Sequence, residues 1–146
     1  TIALWVKPDK DRQGEGSLLI KRSNYYLWER ADNSLLFGYY FKDPKKPEEK
    51  AVIDYIKSDG KIAPEVWTHV AVTFGDGKVD FYLNGKLDSS KTFLGNIINT
   101  PAPLRLGCER EDVRPYKGAM SGVSLFNAPL DAKELVEEMK ETDPRE

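Results

Sequence analysis

Few residues in this chain are of types that carry chemistry, and their spacing limits what each can do. His69 is the only histidine and Cys108 the only cysteine. A zinc site of the usual His/Cys kind therefore cannot be assembled, and no internal disulfide can form. His69 lies inside the alternating run THVAVTF, so it reads as a packed structural histidine rather than the base of a Ser–His–Asp triad. Cys108 reads as a small, half-buried residue. Asp9 with Asp11, and Glu109 with Glu111 and Asp112, form acidic loops. Neither group has the D-x-D-x-D-G spacing of a dedicated calcium loop, and both read as surface charge.

The aromatic residues offer a different chemistry. Sugars are held by ring faces that stack on them and by planar polar groups that fix their hydroxyls. In YYLWER, if Tyr25 and Leu27 face a core, then Tyr26, Trp28 and Arg30 face out. In SLLFGYYFK, the row Leu35, Phe37, Tyr39 and Phe41 alternates with Leu36, Gly38 and Tyr40, and the second row is the better outward candidate. Only the ADN turn separates the two runs, so they become neighbouring strands. Tyr26, Trp28 and Tyr40 then form an aromatic platform, with Arg30 as polar partner and Tyr116, beside Arg114, as a further contact. Aromatics on neighbouring strands also stabilise a sheet as cross-strand pairs without any ligand, and for each residue singly that role is the favoured one.

The elements that must position these residues are strands. The chain has 146 residues, enough for one domain with one core. Hydrophobic residues make up 40% and charged residues 32%, and the formal net charge is -2, which supplies no electrostatic pull toward nucleic acid. No apolar run approaches the roughly 20 residues that span a bilayer, so no membrane insertion is expected. Strand-like runs cover 1–7, 17–21, 25–30, 34–42, 51–57, 67–74, 78–83, 104–107 and 117–126. The segments DRQGEG, SN, DN, DPKKPEE, SDGKIAP, GDG, NG and NTPAP read as turns between them. Val70, Val72 and Phe74, then Val79, Phe81 and Leu83, repeat with period two and predict one core face across a hairpin. Many short strands at this spacing predict an all-β sandwich or barrel.

A single helix follows. Asp131 is its N-cap, Glu134 completes a capping box, and Leu130 with Leu135 makes a hydrophobic staple. Leu135, Val136 and Met139 form the apolar stripe, Glu137, Glu138 and Lys140 face water, and Pro144 ends the pattern.

In order along the chain, TIALWVKP, VWTHVAVTF, DGKVDFYLNGKL, LRLGCER and YKGAMSGVSLFNAPLDAKELVEEM resemble the successive segments of a laminin-G-like domain of the concanavalin A-like lectin/glucanase superfamily. The resemblance implies an all-β, two-sheet antiparallel jelly-roll sandwich with one short C-terminal helix. It places Trp67 as a plug at the entry to a core strand. Family members have a further strand ahead of TIALWV, so residues 1–146 read as a single domain cut from a longer protein and lacking that strand. Family members also carry an acidic pair in the closing strand that helps hold a structural calcium ion. The matching positions here include Ser121 and Gly122, so no cofactor is expected, with a structural calcium ion as the less favoured alternative.

Relatives on this fold that cut polysaccharides use carboxylates at alternating positions of one strand, about 5–5.5 Å apart for a retaining mechanism. Glu109 and Glu111 are spaced by two but sit in CEREDVRP, which reads as a solvated loop. The resemblance therefore implies a non-catalytic, lectin-like module of a secreted or cell-surface protein, acting as one unit of a multidomain chain. Carbohydrate is the expected partner and an extracellular protein the alternative. A glycoside hydrolase is the remaining, less favoured reading.

Overall fold

The computed structural model describes residues 1–93 and 95–145. Two antiparallel sheets pack face to face. The first has the order β11–β1–β6–β7–β8, built from Ile2–Pro8 (β1), Thr68–Gly75 (β6), Lys78–Leu83 (β7), Lys86–Thr92 (β8) and Gly118–Leu125 (β11). The second has the order β10–β2–β3–β4–β5, from Gly16–Lys21 (β2), Tyr25–Glu29 (β3), Ser34–Lys42 (β4), Val52–Lys61 (β5) and Leu104–Leu106 (β10), with the short β9 (Asn96–Ile97) also paired to β4. The helix α1 spans Ala132–Glu141.

Alternation along the strands sorts the side chains. Val70, Val72, Val79 and Phe81 are buried in the core between the sheets, with Phe74 and Leu83 packed against them. From the facing sheet come Leu27, Leu35, Phe37 and Tyr39. Phe74 stacks on Phe37 at 5.5 Å and lies 5.9 Å from Tyr25, so aromatic contact joins the two layers. The hairpins turn where the sequence allows positive φ: Asp76 and Gly77 close β6–β7, and Asn84 and Gly85 close β7–β8.

The opposite face of the first sheet is covered by α1. Leu135 is fully buried with Ala3, Ala71 and Tyr82, and Leu130 packs beside it. The capping box is complete: Glu134 N–H donates to Asp131 Oδ1 at 2.9 Å, and Asp131 N–H donates to Glu134 Oε2 at 2.8 Å. Glu138 departs from the expected water-facing set. It is buried, and its Oε2 lies 2.7 Å from His69 Nε2, while Trp5 Nε1 donates to Thr142 at 3.2 Å. A polar clamp therefore docks the last turns of the helix on the sheet.

Three expectations need correction. Trp67 is no plug: it is half-buried outside the core, with Lys7 Nζ 5.3 Å above its ring. The segment SDGK is not a turn, because β5 runs on to Lys61. There the Asp88 carboxylate accepts from the Asp59 and Gly60 amides at 2.8 and 2.7 Å, joining β5 to β8 across the sandwich edge. β8 itself was not anticipated, since KLDSSKT is a polar edge strand without an apolar row. The domain should lose about 3–5 kcal/mol of stability in Phe81→Ala, the usual cost of emptying a buried aromatic site. Denaturant unfolding of the variant checks this, and a loss under about 1 kcal/mol would contradict the packing described.

Candidate functional site

The second sheet turns a different surface outward. Its outward row follows the ladder: Arg105 on β10 pairs with Ile20 on β2, Ile20 with Tyr26 on β3, Tyr26 with Gly38 on β4, and Gly38 with Tyr55 on β5. In the next row Trp28 pairs with Leu36 and Leu36 with Lys57. Neighbouring strands stand about 4.8 Å apart, so side chains in a row touch. Tyr26 and Trp28 stack at 4.9 Å with 15° between planes, Trp28 and Tyr55 at 6.3 Å with 28°, and Tyr26 lies 6.0 Å from Tyr40. These aromatics line an open depression of about 350 Å³, rimmed by Glu15, Glu109 and Arg114.

Gly38 makes this surface possible. A Cβ there would stand 2.9 Å from the Tyr55 ring and 3.4 Å from that of Trp28. With no side chain on the middle strand, the rings of β3 and β5 lean together over it. Tyr55 is 42% exposed, Tyr40 and Trp28 are half-buried, and Tyr26 is only 7% exposed. The free ring surface therefore belongs mainly to Tyr55, Tyr40 and Trp28. Trp28 Nε1 is covered and has no acceptor. Such a buried, unmade hydrogen bond costs about 1–3 kcal/mol, which folding must offset elsewhere. Burial, and then the neighbouring Tyr26, hold the Tyr40 hydroxyl above its ordinary pKa, while Arg22 acts the other way.

The polar rim differs from the one read in the sequence. Arg30 follows the end of β3 and enters the turn, its N–H donating to Ser34 O at 2.8 Å, and it does not line the depression. Arg114 takes that place. Its guanidinium sits 5.8 Å above the Trp28 ring, with Nη1 2.5 Å from Glu109 and Nε 3.5 Å from Glu15. Arg114 has φ of 46° and follows a tight reversal in which Val113 N–H donates to Arg110 O and Glu109 N–H to Val113 O. Glu109 is thus a half-buried, paired rim residue, not solvated loop. Glu15 carries no sequence signal, and Glu109 and Arg114 stand out only as a loop carboxylate and a neighbour of Tyr116, because two separate loops bring the three together. Tyr55 was legible in principle, since it shares parity with Ile53 and Lys57.

Tyr116 also lies elsewhere. Its ring packs against the core, 3.0 Å from where a Cβ on Gly16 would stand, and its hydroxyl is buried. It sits near Glu29, whose side chain is fully buried. Arg12 Nη2 is 2.8 Å from Glu29 Oε1, yet it donates to Arg30 O and Asn33 Oδ1, leaving neither Glu29 oxygen an aligned donor. Burial outweighs the attraction of Arg12 and raises the Glu29 pKa to about 7. The pair ties the loop that carries Glu15 down to the end of β3.

In the closing strand β11, Gly122 backs directly onto Thr142. Among the described residues no group of three or more His, Cys, Asp or Glu side chains is arranged to hold a metal ion. The residues at this position do not fit a calcium site.

Two antiparallel sheets in this order, with a helix sealing one outer face, define a jelly-roll sandwich of the concanavalin A type. The chain belongs to the laminin-G-like family of the Concanavalin A-like lectin/glucanases superfamily, whose profile matches residues 1–136. It resembles the Adhesion G-protein coupled receptor V1 of Danio rerio, with 28% identity over 76 residues, which cover 50% of this chain and 1% of that receptor. Among solved structures it is similar to a candidate carbohydrate-binding protein from Bacteroides ovatus, with TM-score 0.73 and 14% identity over 93% of this chain and 39% of that one. It is also similar to the CBM40 of the Ruminococcus gnavus IT-sialidase bound to α2,3 sialyllactose, with TM-score 0.68 and 15% identity over 93% of this chain and 79% of the other. At these identities the solved structures show a shared fold. The chain spans well under half the length of the receptor and of the Bacteroides protein.

Glu29 gives a pH dependence with a definite sign. Its folded pKa, about 7, lies above its ordinary 4.5, so the folded state binds the proton more tightly. Its contribution is then most favourable below about pH 4.5 and is lost as the pH rises through about 7. Relative to Glu29→Gln, the wild type should lose on the order of 2 kcal/mol across that window. Chemical unfolding at a series of pH values measures it. A flat difference, or one that rises with pH, would mean that Arg12 already holds Glu29 ionised in acid.

Proposed function

We propose that the chain is a non-catalytic glycan-binding module and that the outer face of the β10–β2–β3–β4–β5 sheet is its binding surface. The observation that carries this is the aromatic shelf of Trp28, Tyr55 and Tyr40 around the gap at Gly38, half-open to solvent and edged by carboxylates and a guanidinium. A sugar ring presents C–H groups to ring faces and hydroxyls to charged groups, and the shelf offers both within one depression. Glu15 and Glu109 can accept hydroxyl hydrogens, and Arg114 can donate. The Glu109 carboxylate is engaged by the Arg114 guanidinium, which argues against Glu109 as a catalytic acid.

The similarity to carbohydrate-binding proteins supports the glycan reading by analogy of fold. The resemblance to an adhesion receptor supports a place outside the cell and favours, as second reading, an adhesion domain that contacts protein. Among the described residues no helix is long and apolar enough to cross a membrane.

An open shelf holds one ring and must first offset the ligand's lost freedom, so the dissociation constant should lie nearer the millimolar than the micromolar range, about −4 to −6 kcal/mol. Repetition within a longer chain would raise avidity. Screening a glycan array and titrating Tyr55→Ala and Trp28→Ala by calorimetry tests the proposal. The expected result is a loss of about tenfold or more for each variant, with unfolding still cooperative. Sugar binding that both variants retain would move the site elsewhere. Absence of any glycan ligand, together with protein binding at this face, would favour the adhesion reading.

A further inference from the structure

The chain has seven arginines. Four are committed to acidic partners: Arg12 to Glu29, Arg30 to Glu15, Arg114 to Glu109 and Glu15, and Arg145 to Asp143. The other three, Arg22, Arg105 and Arg110, form no ion pair and no side-chain hydrogen bond among the described residues. These three line one depression, of about 260 Å³, beside the aromatic shelf. Glu109 borders both depressions, but its carboxylate is engaged by Arg114. Three uncompensated guanidiniums around one hollow repel one another, and an anion relieves that repulsion.

Each arginine is carried by a braced element. Arg105 stands on β10 in the same cross-strand row as Tyr26, with only Ile20 between them. Arg22 sits in the β2–β3 turn, where its carbonyl accepts from Asn24 Nδ2 and Thr100 Oγ1, and Thr100 N–H donates to Asn24 Oδ1. Arg110 is set by the reversal that also places Glu109 and Arg114. Two strand spacings, about 10 Å, separate β10 from β3, which carries Trp28, whereas Tyr55 on β5 stands two spacings further along the ladder, so Trp28 is the shelf ring nearest the hollow. Arg22 also acts on the Tyr40 hydroxyl of the shelf, lowering its pKa against the larger effect of burial.

We infer that the hollow of Arg22, Arg105 and Arg110 is an anion subsite, and that the glycan taken by this face is acidic, with its carboxylate or sulfate held there while its ring lies on the aromatic shelf. The inference rests on the glycan reading of the shelf. Guanidinium groups suit both anions, because their forked N–H donors match two oxygens at once. The neighbouring shelf supplies no free cation of its own, since Arg114 is paired, so the charged substituent must point toward β10.

Matched sugars test the inference. Glucose, galactose and N-acetylglucosamine, their 6-sulfates and the corresponding uronates, and lactose beside sialyllactose are titrated into the protein and followed by nitrogen–proton NMR. The experiment is repeated at about 0.02 M and 0.5 M salt, where the screening length is long and then short. At least one acidic sugar should bind about tenfold tighter than its neutral parent at low salt, and the excess should shrink at high salt. Arg105→Gln and Arg22→Gln, at exposed positions and with unchanged melting, should remove the excess and leave the neutral sugar's affinity intact. The sulfated and carboxylated arms identify which anion is preferred. Neutral parents that bind as tightly as their acidic forms, or an excess that survives both variants, would overturn the subsite while leaving the shelf as a glycan site. No binding by any sugar in either variant or wild type would overturn both.

Discussion

Phe74 of one sheet stacked on Phe37 of the other, with Tyr25 beside them, is the contact on which the rest of the structure depends. It fixes which rows of β3 and β4 face inward. Because side chains alternate with period two, a one-residue slip of either strand would exchange the inward and outward sets completely. With Tyr25, Leu27, Phe37 and Tyr39 held inside, Tyr26, Trp28, Gly38 and Tyr40 have no place but the outer surface. The aromatic shelf is therefore a consequence of core packing, and it needs no separate device to orient it.

The two sheets then treat their outer faces differently. On the β11–β1–β6–β7–β8 sheet the outward positions Ala3 and Ala71 are small, beside the larger Trp5 and Tyr82, and α1 settles over them and buries Leu135. On the other sheet the outward row is large and aromatic, and among the described residues no helix lies over it. The edge where β10 stands adds unpaired guanidiniums to that row, and the loop held by Arg12 and Glu29 adds carboxylate. Stability is concentrated between the layers and under the helix, and the open face carries the proposed glycan site.

Much of this was legible from residue order. The alternation in THVAVTF and KVDFYL located the core, and the Asp131 and Glu134 spacing located the helix start, because both rest on short-range geometry. The outward parity of Tyr26, Trp28 and Tyr40 followed from the same rule. The parity of Tyr55 with Ile53 and Lys57 is legible, but its place across the gap at Gly38 depends on the β4–β5 register, which no local pattern shows. Arg30 reads as the polar partner because it is adjacent in sequence, whereas Arg114 reaches Trp28 only after a loop with positive φ turns it back. Tyr116 reads as a ligand contact and Glu138 as water-facing, because burial by a distant element leaves no trace in a polar segment.

Under the function proposed above, the open aromatic face, and not the helix-covered face or the loops at the sandwich ends, is where a glycan is taken. Chemical-shift mapping of the labelled protein with the tightest sugar of a panel tests it most directly. The account predicts perturbation of the Trp28 indole Nε1–H and of the amides of Tyr26, Gly38 and Tyr55, with the amides of 132–141 unmoved. Shifts confined to α1 or to the loop at 43–50, with the Trp28 indole signal unchanged at saturation, would contradict it.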